Sequence, residues 1–364
     1  MKTSKMLIKR YKTRIFSLIT VFFSLIAIVV CSELLLRLTG HPPYKLRSFN
    51  PVHESDPKLG WKNREGKYFF PDYTSSKKMK YAVPAYALNS KELTFSTGGT
   101  LTFLPGGMRT TGAEKLDKRR QLVIVGGSFT QGYAISDNET FSWKLQSRYP
   151  SVQVLNFGTG GYGTYQSLLT IERLFSSKML SEPPIMILYG FIGHHEVRNI
   201  APSELLKRVG RRIGQEYRGI PYCTIDSENN LIKHPVEIYP KWPLTEKLAT
   251  VNFFQTLYMK LKTWGRDSQK RRVTEKLLLE MNSLCQKKGT QFAVILLSCN
   301  TETKFHYINF LKNNHINYID CVYPLTSERQ VPVDGHPNRV MNTLWADCIG
   351  EALGDTITQE VGRQ

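Results

Sequence analysis

The sequence of 364 residues lacks the cysteine and histidine spacings that are typical of zinc sites. Its six cysteines include no CxxC pair, and no histidines stand beside them at zinc-ligand spacing. We therefore predict neither a metal nor a cofactor, and no internal repeat is visible. Hydrophobic residues make up 41% and charged residues 22% of the chain. This balance is ordinary for a packed core and excludes a chain dominated by disorder.

The N-terminus lacks acidic residues and leads into a long apolar run. Residues 1–14 carry six basic residues and no acid, and residues 15–31 are apolar except for three hydroxyl side chains. This run forms only about 26 Å of helix, so Leu34 and its leucine neighbours are expected to extend it. We predict a basic cytoplasmic tail (1–14) and a transmembrane signal anchor (15–38), with Glu33 near the far interface.

Two other interpretations of this segment stay open. A cleaved signal peptide needs a small-residue cleavage site, and "IAIVVCSE" offers no convincing one. A lipoprotein site at Cys31 is weaker still, because the bulky Val30 precedes it. With an anchor, the positive-inside bias places the following residues outside the cytoplasm. We therefore predict a single-pass protein of the bacterial inner membrane with its large domain in the periplasm.

The exported part of the chain is basic. The formal net charge is +19, and without the six basic residues of the tail 43 basic residues stand against 30 acidic ones. Clusters such as "KRVGRR" (207–212) and "KRR" (270–272) suit anionic glycans or lipid headgroups, although solvated helix faces explain most such runs. We do not expect a nucleic acid partner outside the cytoplasm.

From residue 121 onward, short runs of branched apolar residues alternate with helical patterns. The runs are "QLVIV" at 121, "VQVLNF" at 152, "PIMILYG" at 184, "QFAVILL" at 291 and "INYID" at 316. Strands separated by helices indicate a parallel sheet that is covered on both faces. We predict an α/β fold with three layers, α/β/α, around a five-stranded, flavodoxin-like parallel sheet in the order 2-1-3-4-5.

The predicted boundaries follow from the same patterns. The α/β domain is expected over 121–354, with a hairpin insertion at about 222–238. Residues 39–120, which are rich in Pro, Gly, Lys and Tyr, are expected to form a stalk and an irregular, partly β extension. Helices are predicted at about 140–149, 164–178, 202–213, 244–288 with a break near Gly265, 301–313 and 337–353.

Residues suited to catalysis follow the predicted strands, where parallel sheets bind their ligands. Ser128 in "GGSFTQG" follows the first strand, "GTGGYG" the second and "GHHE" the third. A serine becomes a nucleophile when a base takes its proton, a third group orients the base, and N–H groups hold the oxyanion. Near the C-terminus, "VPVDGHPN" offers Asp334 and His336 as acid and base, with Asp320 as a rival acid.

In combination, these blocks resemble those of SGNH (GDSL-type) hydrolases, and the nearest branch is that of membrane-anchored bacterial proteins resembling alginate O-acetyltransferases. "GGSFTQG" stands at the first block, which implies that Ser128 is the nucleophile and one oxyanion donor. "LNFGTGGYGTYQ" (155–166) stands at the second block and implies that Gly161 N–H is another donor. "DGHPN" stands at the last block and implies roles for Asp334 and His336.

The sequence departs from the family pattern at three places. Gly127 replaces the usual Asp, the spacing is D-x-H instead of D-x-x-H, and "GHHEVRN" replaces GxND. The last change removes an asparagine that usually donates to the oxyanion. His194 fits its position best and His195 is adjacent, so either imidazole is a candidate substitute. The D-x-H spacing resembles that of the alginate branch.

Two other motifs fail on their context. Gly158, Gly160 and Gly163 form a GxGxxG, the dinucleotide fingerprint, but the next strand, "MILYGFIG", offers no acid for a ribose. The GxSxG elbow of α/β-hydrolases fails because Thr130 occupies the last glycine position.

The sequence therefore predicts a membrane-anchored serine esterase or O-acyltransferase that acts on acyl esters, acetyl esters in particular, of an exported glycan. The expected partners are an acylated glycan or small acyl ester, the membrane, and a multispanning membrane acyltransferase as a candidate. The alternative is a non-catalytic glycan-binding module that keeps the fold. Because Cys299 and Cys321 follow neighbouring predicted strands, a disulfide between them is a candidate, and the sequence leaves open whether it forms.

Overall fold

The computed structural model describes residues 2–45, 51–71, 83–84, 97–112, 120–177, 179–180, 182–210, 212–213, 216–332 and 334–361. The chain forms two compact units, one of residues 1–47 and 239–264 and the other of residues 48–238 and 265–364. Residues 48–120 share a unit with the parallel strands, and residues 239–264 belong to the first unit.

From residue 121 onward strands alternate with helices, as predicted, but the helix predicted at 202–213 ends at Val209 and the helix at 194–200 was not predicted. The helices are α1 (Lys2–Leu38), α2 (Ser128–Gln131), α3 (Phe141–Arg148), α4 (Thr164–Ser176), α5 (His194–Ile200), α6 (Ser203–Val209), α7 (Ala249–Lys262), α8 (Lys270–Lys287), α9 (Thr301–Asn313) and α10 (Arg339–Val361). The strands are β1 (His53–Asp56), β2 (Gly60–Asn63), β3 (Gly66–Pro71), β4 (Val83–Pro84), β5 (Thr97–Leu104), β6 (Met108–Arg109), β7 (Gln121–Gly126), β8 (Gln153–Asn156), β9 (Met186–Ile192), β10 (Arg212–Ile213), β11 (Glu216–Tyr217), β12 (Gly219–Ile225), β13 (Leu231–Ile238), β14 (Gln291–Ser298) and β15 (Asn317–Asp320). The break predicted near Gly265 lies between α7 and α8, where Gly265 takes a φ of +83°.

The first unit contains α1 and α7. Within Tyr11–Leu38 of α1, an 18-residue window has a mean hydropathy of 2.7 and no buried residue, so the helix is long and apolar enough to cross a membrane. This fits either an anchor or a signal sequence. The Glu33 carboxylate accepts hydrogen bonds from Ala249 N at 2.8 Å and Thr250 N at 2.9 Å. A carboxylate at this place caps the first turn of α7 and complements its helix dipole.

The second unit is built on a nine-stranded mixed sheet in the order β15-β14-β9-β7-β8-β6-β5-β3-β4. Strands β8, β7, β9, β14 and β15 pair in parallel, in the order that the sequence predicts. The prediction of a five-stranded, purely parallel sheet is wrong, because β6, β5, β3 and β4 extend it with antiparallel pairing. The α/β class itself is confirmed.

Helices cover both faces of the parallel strands. Leu122, Val123, Ile124 and Val125 of β7 are fully buried, and successive side chains of a strand point to opposite faces. Leu122 and Ile124 share a core cluster with Leu145 of α3 and Trp345 of α10. Helix α4 packs on β7 and α8 packs on β14. Burial on both faces explains the continuous apolar runs of these strands.

The N-terminal extension is an integral part of the second unit. Tyr68 and Phe70 of β3 form a core cluster with Leu101 and Phe103 of β5. The guanidinium of the fully buried Arg109 pairs with Asp137 at 3.0 Å and donates to the carbonyls of Gln131, Gly132 and Ile135. These bonds tie β6 to the segment that follows α2.

The hairpin predicted at about 222–238 is formed by β12 and β13, which pair antiparallel. Its turn is held by Asp226, whose Oδ1 accepts from Glu228 N at 2.9 Å and Asn230 N at 2.7 Å. Asn229 takes a φ of +65°, a conformation that asparagine tolerates well.

The disulfide joins Cys321 to Cys348, and Cys299 is a free, half-buried thiol. The candidate Cys299–Cys321 pair is therefore not formed. Cys321 directly follows β15, and α10 packs against that strand, with Trp345 Nε1 donating to Cys321 O at 3.1 Å. This contact brings Cys348, one turn further along α10, to the strand end.

Peptide mapping without reduction should recover Cys321 linked to Cys348 and Cys299 as an alkylatable thiol. Because the bond closes a loop with a sequence separation of 27, Cys348→Ser should lower the free energy of unfolding by about 3 kcal/mol. The matched variant Cys299→Ser should cost much less. A Cys299–Cys321 peptide would contradict this pairing.

Candidate active site

Ser128 lies where β7 turns into α2. Gly126 takes a φ of +156°, and a Cβ there would lie 2.2 Å from Thr130 Oγ1, so only glycine fits. Gln131 N donates to Gly127 O at 2.9 Å and closes the first turn of α2. Ser128 begins this helix with 7% of its surface exposed. The sharp turn sets its side chain at the carboxyl edge of the sheet.

His336 links Ser128 to Asp334. The distance from His336 Nε2 to Ser128 Oγ is 3.0 Å, and the distance from His336 Nδ1 to Asp334 Oδ1 is 2.5 Å. Val331 N donates to His336 O at 2.7 Å and closes the loop that carries the acid and the imidazole. Gly335 takes a φ of +79° in that loop. The three residues therefore form one continuous hydrogen-bonded chain.

Asp320, the rival acid, is engaged elsewhere. Its carboxylate lies 2.5 Å from Lys304 Nζ and accepts from Val322 N at 3.2 Å. Both contacts hold the end of β15. Asp334 is the carboxylate that contacts His336.

Two aromatic rings that sequence reasoning missed pack around the imidazole. The ring centroid of Tyr133 lies 4.9 Å from that of His336, and the centroid of Phe129 lies 5.8 Å away. Tyr133 in turn packs edge-on against Phe70 of β3, at 5.0 Å. The extension thus supports the orientation of His336 through Tyr133. Phe129 stands next to Ser128 in the quoted motif. No pattern in the sequence, however, indicates that Tyr133 contacts Phe70.

Three side chains donate hydrogen bonds to carbonyls of the glycine loop, residues 158–163, that follows β8. Asn63 Nδ2 donates to Gly158 O at 3.0 Å, Trp61 Nε1 donates to Gly160 O at 3.0 Å, and Arg198 Nη1 donates to Tyr162 O at 2.8 Å. Asn63 also bonds to Gln131 of α2, through Oδ1 at 2.9 Å. The same side chain therefore fixes the loop relative to the helix that Ser128 begins.

Close approach of backbone explains the glycines of this loop. A Cβ at Gly158 would lie 2.4 Å from Gln131 N. Gly161 takes a φ of +88°, and a Cβ there would lie 3.1 Å from the Trp61 ring and 3.2 Å from Arg218 Nη2. Of the three GxGxxG glycines, Gly158 is thus accounted for by packing of the second block against the first, and Gly163 by a Cβ position only 2.7 Å from Asn199 Oδ1.

The two candidate histidines occupy different environments. His194 is exposed, whereas His195 is fully buried. Burial and the nearby Arg198 lower the pKa of His195 well below its usual value, so the imidazole is neutral at pH 7. Its Nδ1 lies 2.6 Å from the hydroxyl oxygen of Tyr189, which donates to Thr164 Oγ1 at 2.8 Å.

This hydrogen-bond order determines what His195 can do. Because the Tyr189 proton goes to Thr164, the Tyr189 oxygen accepts from His195 Nδ1–H. His195 Nε2 then carries a lone pair, and it is buried without a hydrogen-bond partner among the described residues. In this arrangement neither ring nitrogen of His195 can donate to an oxyanion.

His195 and Arg198 fill the space beside Gly127. A Cβ at Gly127 would lie 2.7 Å from His195 Nε2, 3.0 Å from Arg198 Nη1 and 3.1 Å from Tyr162 O. Two departures from the family pattern are therefore coupled, since an aspartate side chain at 127 would collide with the residues of the "GHHEVRN" segment. The structure gives a packing reason for Gly127.

Metal chemistry has no visible donor set here. Within the described ranges, no group of three or more His, Cys, Asp and Glu side chains is placed to hold a metal ion.

Adding one methyl group at Gly127 should disturb this packing. Gly127→Ala should lower the free energy of unfolding by about 1–3 kcal/mol, because the new Cβ overpacks the site. Gly193→Ala is a matched control, since its Cβ would lie at an ordinary 3.5 Å from Cys299 Cβ. Equal denaturation midpoints for Gly127→Ala and wild type would contradict the close contact.

Comparison with known proteins gives structural neighbours only. No family model and no curated protein matches the sequence. A lipolytic protein of the G-D-S-L family from Veillonella parvula is 13% identical, with a TM-score of 0.38, over 64% of this chain and 97% of that chain. The psychrotrophic esterase EstA from Pseudoalteromonas sp. is 10% identical, with a TM-score of 0.37, over 65% and 99%. At these scores the similarities assign neither a family nor an activity, so a function has to be argued from the site.

Proposed function

We propose that the chain is an SGNH-type serine esterase or O-acyltransferase that acts on acyl esters of an exported glycan. The observation that carries the proposal is the chain from Ser128 Oγ through His336 to Asp334, with distances of 3.0 Å and 2.5 Å. A hydroxyl, an imidazole and a carboxylate in this order are the parts of a nucleophilic acyl transfer.

The proposed reaction has two stages. Ser128 Oγ attacks the acyl carbonyl carbon while His336 Nε2 takes the serine proton, and Asp334 accepts the hydrogen bond from His336 Nδ1–H. The tetrahedral intermediate collapses when His336 returns that proton to the leaving alkoxide, which leaves an acyl group on Ser128. Water or a sugar hydroxyl then attacks the acyl-enzyme, with His336 again taking and returning the proton. Water gives an esterase and a sugar hydroxyl gives a transferase.

We assign the oxyanion to the N–H groups of Ser128 and Gly161, as the family resemblance implies. The three carbonyl contacts that fix the glycine loop support this role, because preorganised donors stabilise a developing charge without reorganisation. Of the two histidines, the exposed His194 is the candidate that a substrate could reach. His195 instead packs against Gly127.

The apolar helix and the disulfide support a location of the reaction outside the cytoplasm. The basic residues at the start of α1 favour the cytoplasm for the N-terminus and the outer side for the rest of the chain. The Cys321–Cys348 disulfide supports this side, since disulfides persist in oxidising compartments such as the periplasm. We therefore place the protein in the bacterial inner membrane with its catalytic unit in the periplasm. A multispanning acyltransferase that delivers the acyl group would be its partner in the transferase version.

Turnover of a small acyl ester by the full chain in detergent tests the proposal. Ser128→Ala and His336→Ala should each lower kcat by about 10⁴ or more, and the double variant should be scarcely worse than either single variant, because the two groups act as a unit. Asp334→Asn should also lose most of the activity. Asp320→Asn is the matched control and should retain it, since Asp320 pairs with Lys304.

One histidine variant tests the exposed oxyanion candidate. If His194 donates, His194→Ala should lower kcat by about a hundredfold, with unchanged stability because the side chain is exposed.

Equal turnover by wild type and Ser128→Ala would end the serine mechanism. Glycan binding without any turnover, unchanged by Ser128→Ala, would favour the non-catalytic glycan-binding module.

A further inference from the structure

Helix α7 of the first unit carries a broad exposed apolar face. Phe254 is 58%, Leu261 69% and Trp264, two residues beyond the helix end, 87% exposed. Gln255 and Met259, on the other side of the helix, are buried. Exposed apolar side chains at this density mark a surface that is covered by something apolar.

The apolar residues are ordered around the helix axis. At about 100° per residue, Phe253, Leu257, Leu261, Phe254 and Tyr258 span an arc of about 140°. Trp264 continues the same arc. Lys260 falls at one margin of the arc and Lys262 at the other, so their ammonium groups flank the apolar face. Lysines at both margins of an apolar face with aromatic residues are typical of helices that lie in a membrane interface.

The hydrogen bonds between α7 and α1 fix the depth of α7 in a bilayer that α1 crosses. About 20 residues of helix cross the hydrocarbon of a bilayer, so a span that begins near Ile15 reaches its outer boundary near Leu34. The first turn of α7 is bonded to Glu33, and Arg37 Nη2 donates to Lys247 O at 2.8 Å just before it. Helix α7 therefore begins at the boundary between acyl chains and headgroups.

We propose that α7 is an interfacial helix whose apolar face lies in the outer leaflet of the bilayer that α1 crosses. The occupant of this face is phospholipid, because α7 is bonded through Glu33 to α1, whose apolar surface is itself exposed. Glu33 is the joint between the two helices, because its carboxylate also accepts from Arg37 Nε at 2.7 Å and from Thr250 Oγ1 at 3.0 Å. The proposal rests on the proposed anchor and is independent of the ester chemistry.

Trp264 reports on the environment of this face. Full-length wild type and Trp264→Phe are reconstituted in vesicles of phosphatidylethanolamine and phosphatidylglycerol, and the difference between their emission spectra isolates Trp264. Flotation of the vesicles is measured first. Bromine-labelled acyl chains should quench most of the difference signal, whereas aqueous acrylamide should quench little of it.

Each other outcome overturns the proposal in a distinguishable way. Quenching by acrylamide alone would leave α7 in water, and quenching by neither reagent would mean that protein covers the face, through a second copy or another chain. Protein that fails to float would overturn the anchor together with the interfacial helix. Ester turnover is measured on the same samples, so failure of the proposed chemistry would be seen separately.

A charge inside the apolar arc should expel the helix from the bilayer. Leu261→Glu should make Trp264 accessible to acrylamide and insensitive to the brominated chains. The matched control is Leu279→Glu, the same change at an exposed leucine of α8 in the second unit, which should leave the quenching of Trp264 unaltered. Equal quenching of Trp264 in Leu261→Glu and wild type would contradict the interfacial placement.

Discussion

The parallel pairing of β7 between β8 and β9 is the constraint on which the site depends. Three strands that run in one direction bring their following loops to one edge, so Ser128, the glycine loop and the His194–His195 segment meet there. The loops then approach so closely that side chains are excluded at Gly126, Gly127 and Gly158. The last loop, which carries Asp334 and His336, completes the hydrogen-bonded chain at the same edge.

A second layer of support comes from residues before the parallel strands. Asn63 connects the glycine loop to α2, Arg109 binds the carbonyls at the end of α2, and Phe70 holds Tyr133 against His336. The buried Arg109 has its charge compensated by Asp137 at 3.0 Å. Breaking such a buried pair generally costs several kcal/mol. The extension is therefore needed for the geometry of the site as well as for the sheet.

Local patterns in the sequence were sufficient for the α/β class and for placing Ser128 after the first parallel strand, whereas the strand order and the roles of Asp334 and His336 rested on resemblance to a known fold and family. Local patterns were insufficient for contacts that depend on long-range packing, such as the disulfide pairing. Cys321 pairs with Cys348 because α10 returns to β15, and no spacing reveals that return. Tyr68 and Phe70, like Leu101 and Phe103, alternate with less buried neighbours, a short period-two pattern that marks strands. It is easily missed in a segment rich in glycine and proline. His195 is left without a donor by the hydrogen bonds of Tyr189 to Thr164 and His195. No sequence pattern indicates these contacts.

The central claim is that the geometry around Ser128 activates its hydroxyl, and a covalent probe tests it without a known glycan or acyl donor. A fluorophosphonate loses fluoride to an activated serine and forms a stable phosphorus–oxygen bond, which mass spectrometry locates by peptide. The full chain in detergent should carry one adduct on the peptide that contains Ser128, and the adduct should be absent from His336→Ala and from heat-denatured protein. A folded wild-type protein that stays unlabelled at Ser128, or that is labelled equally in His336→Ala, would contradict the account.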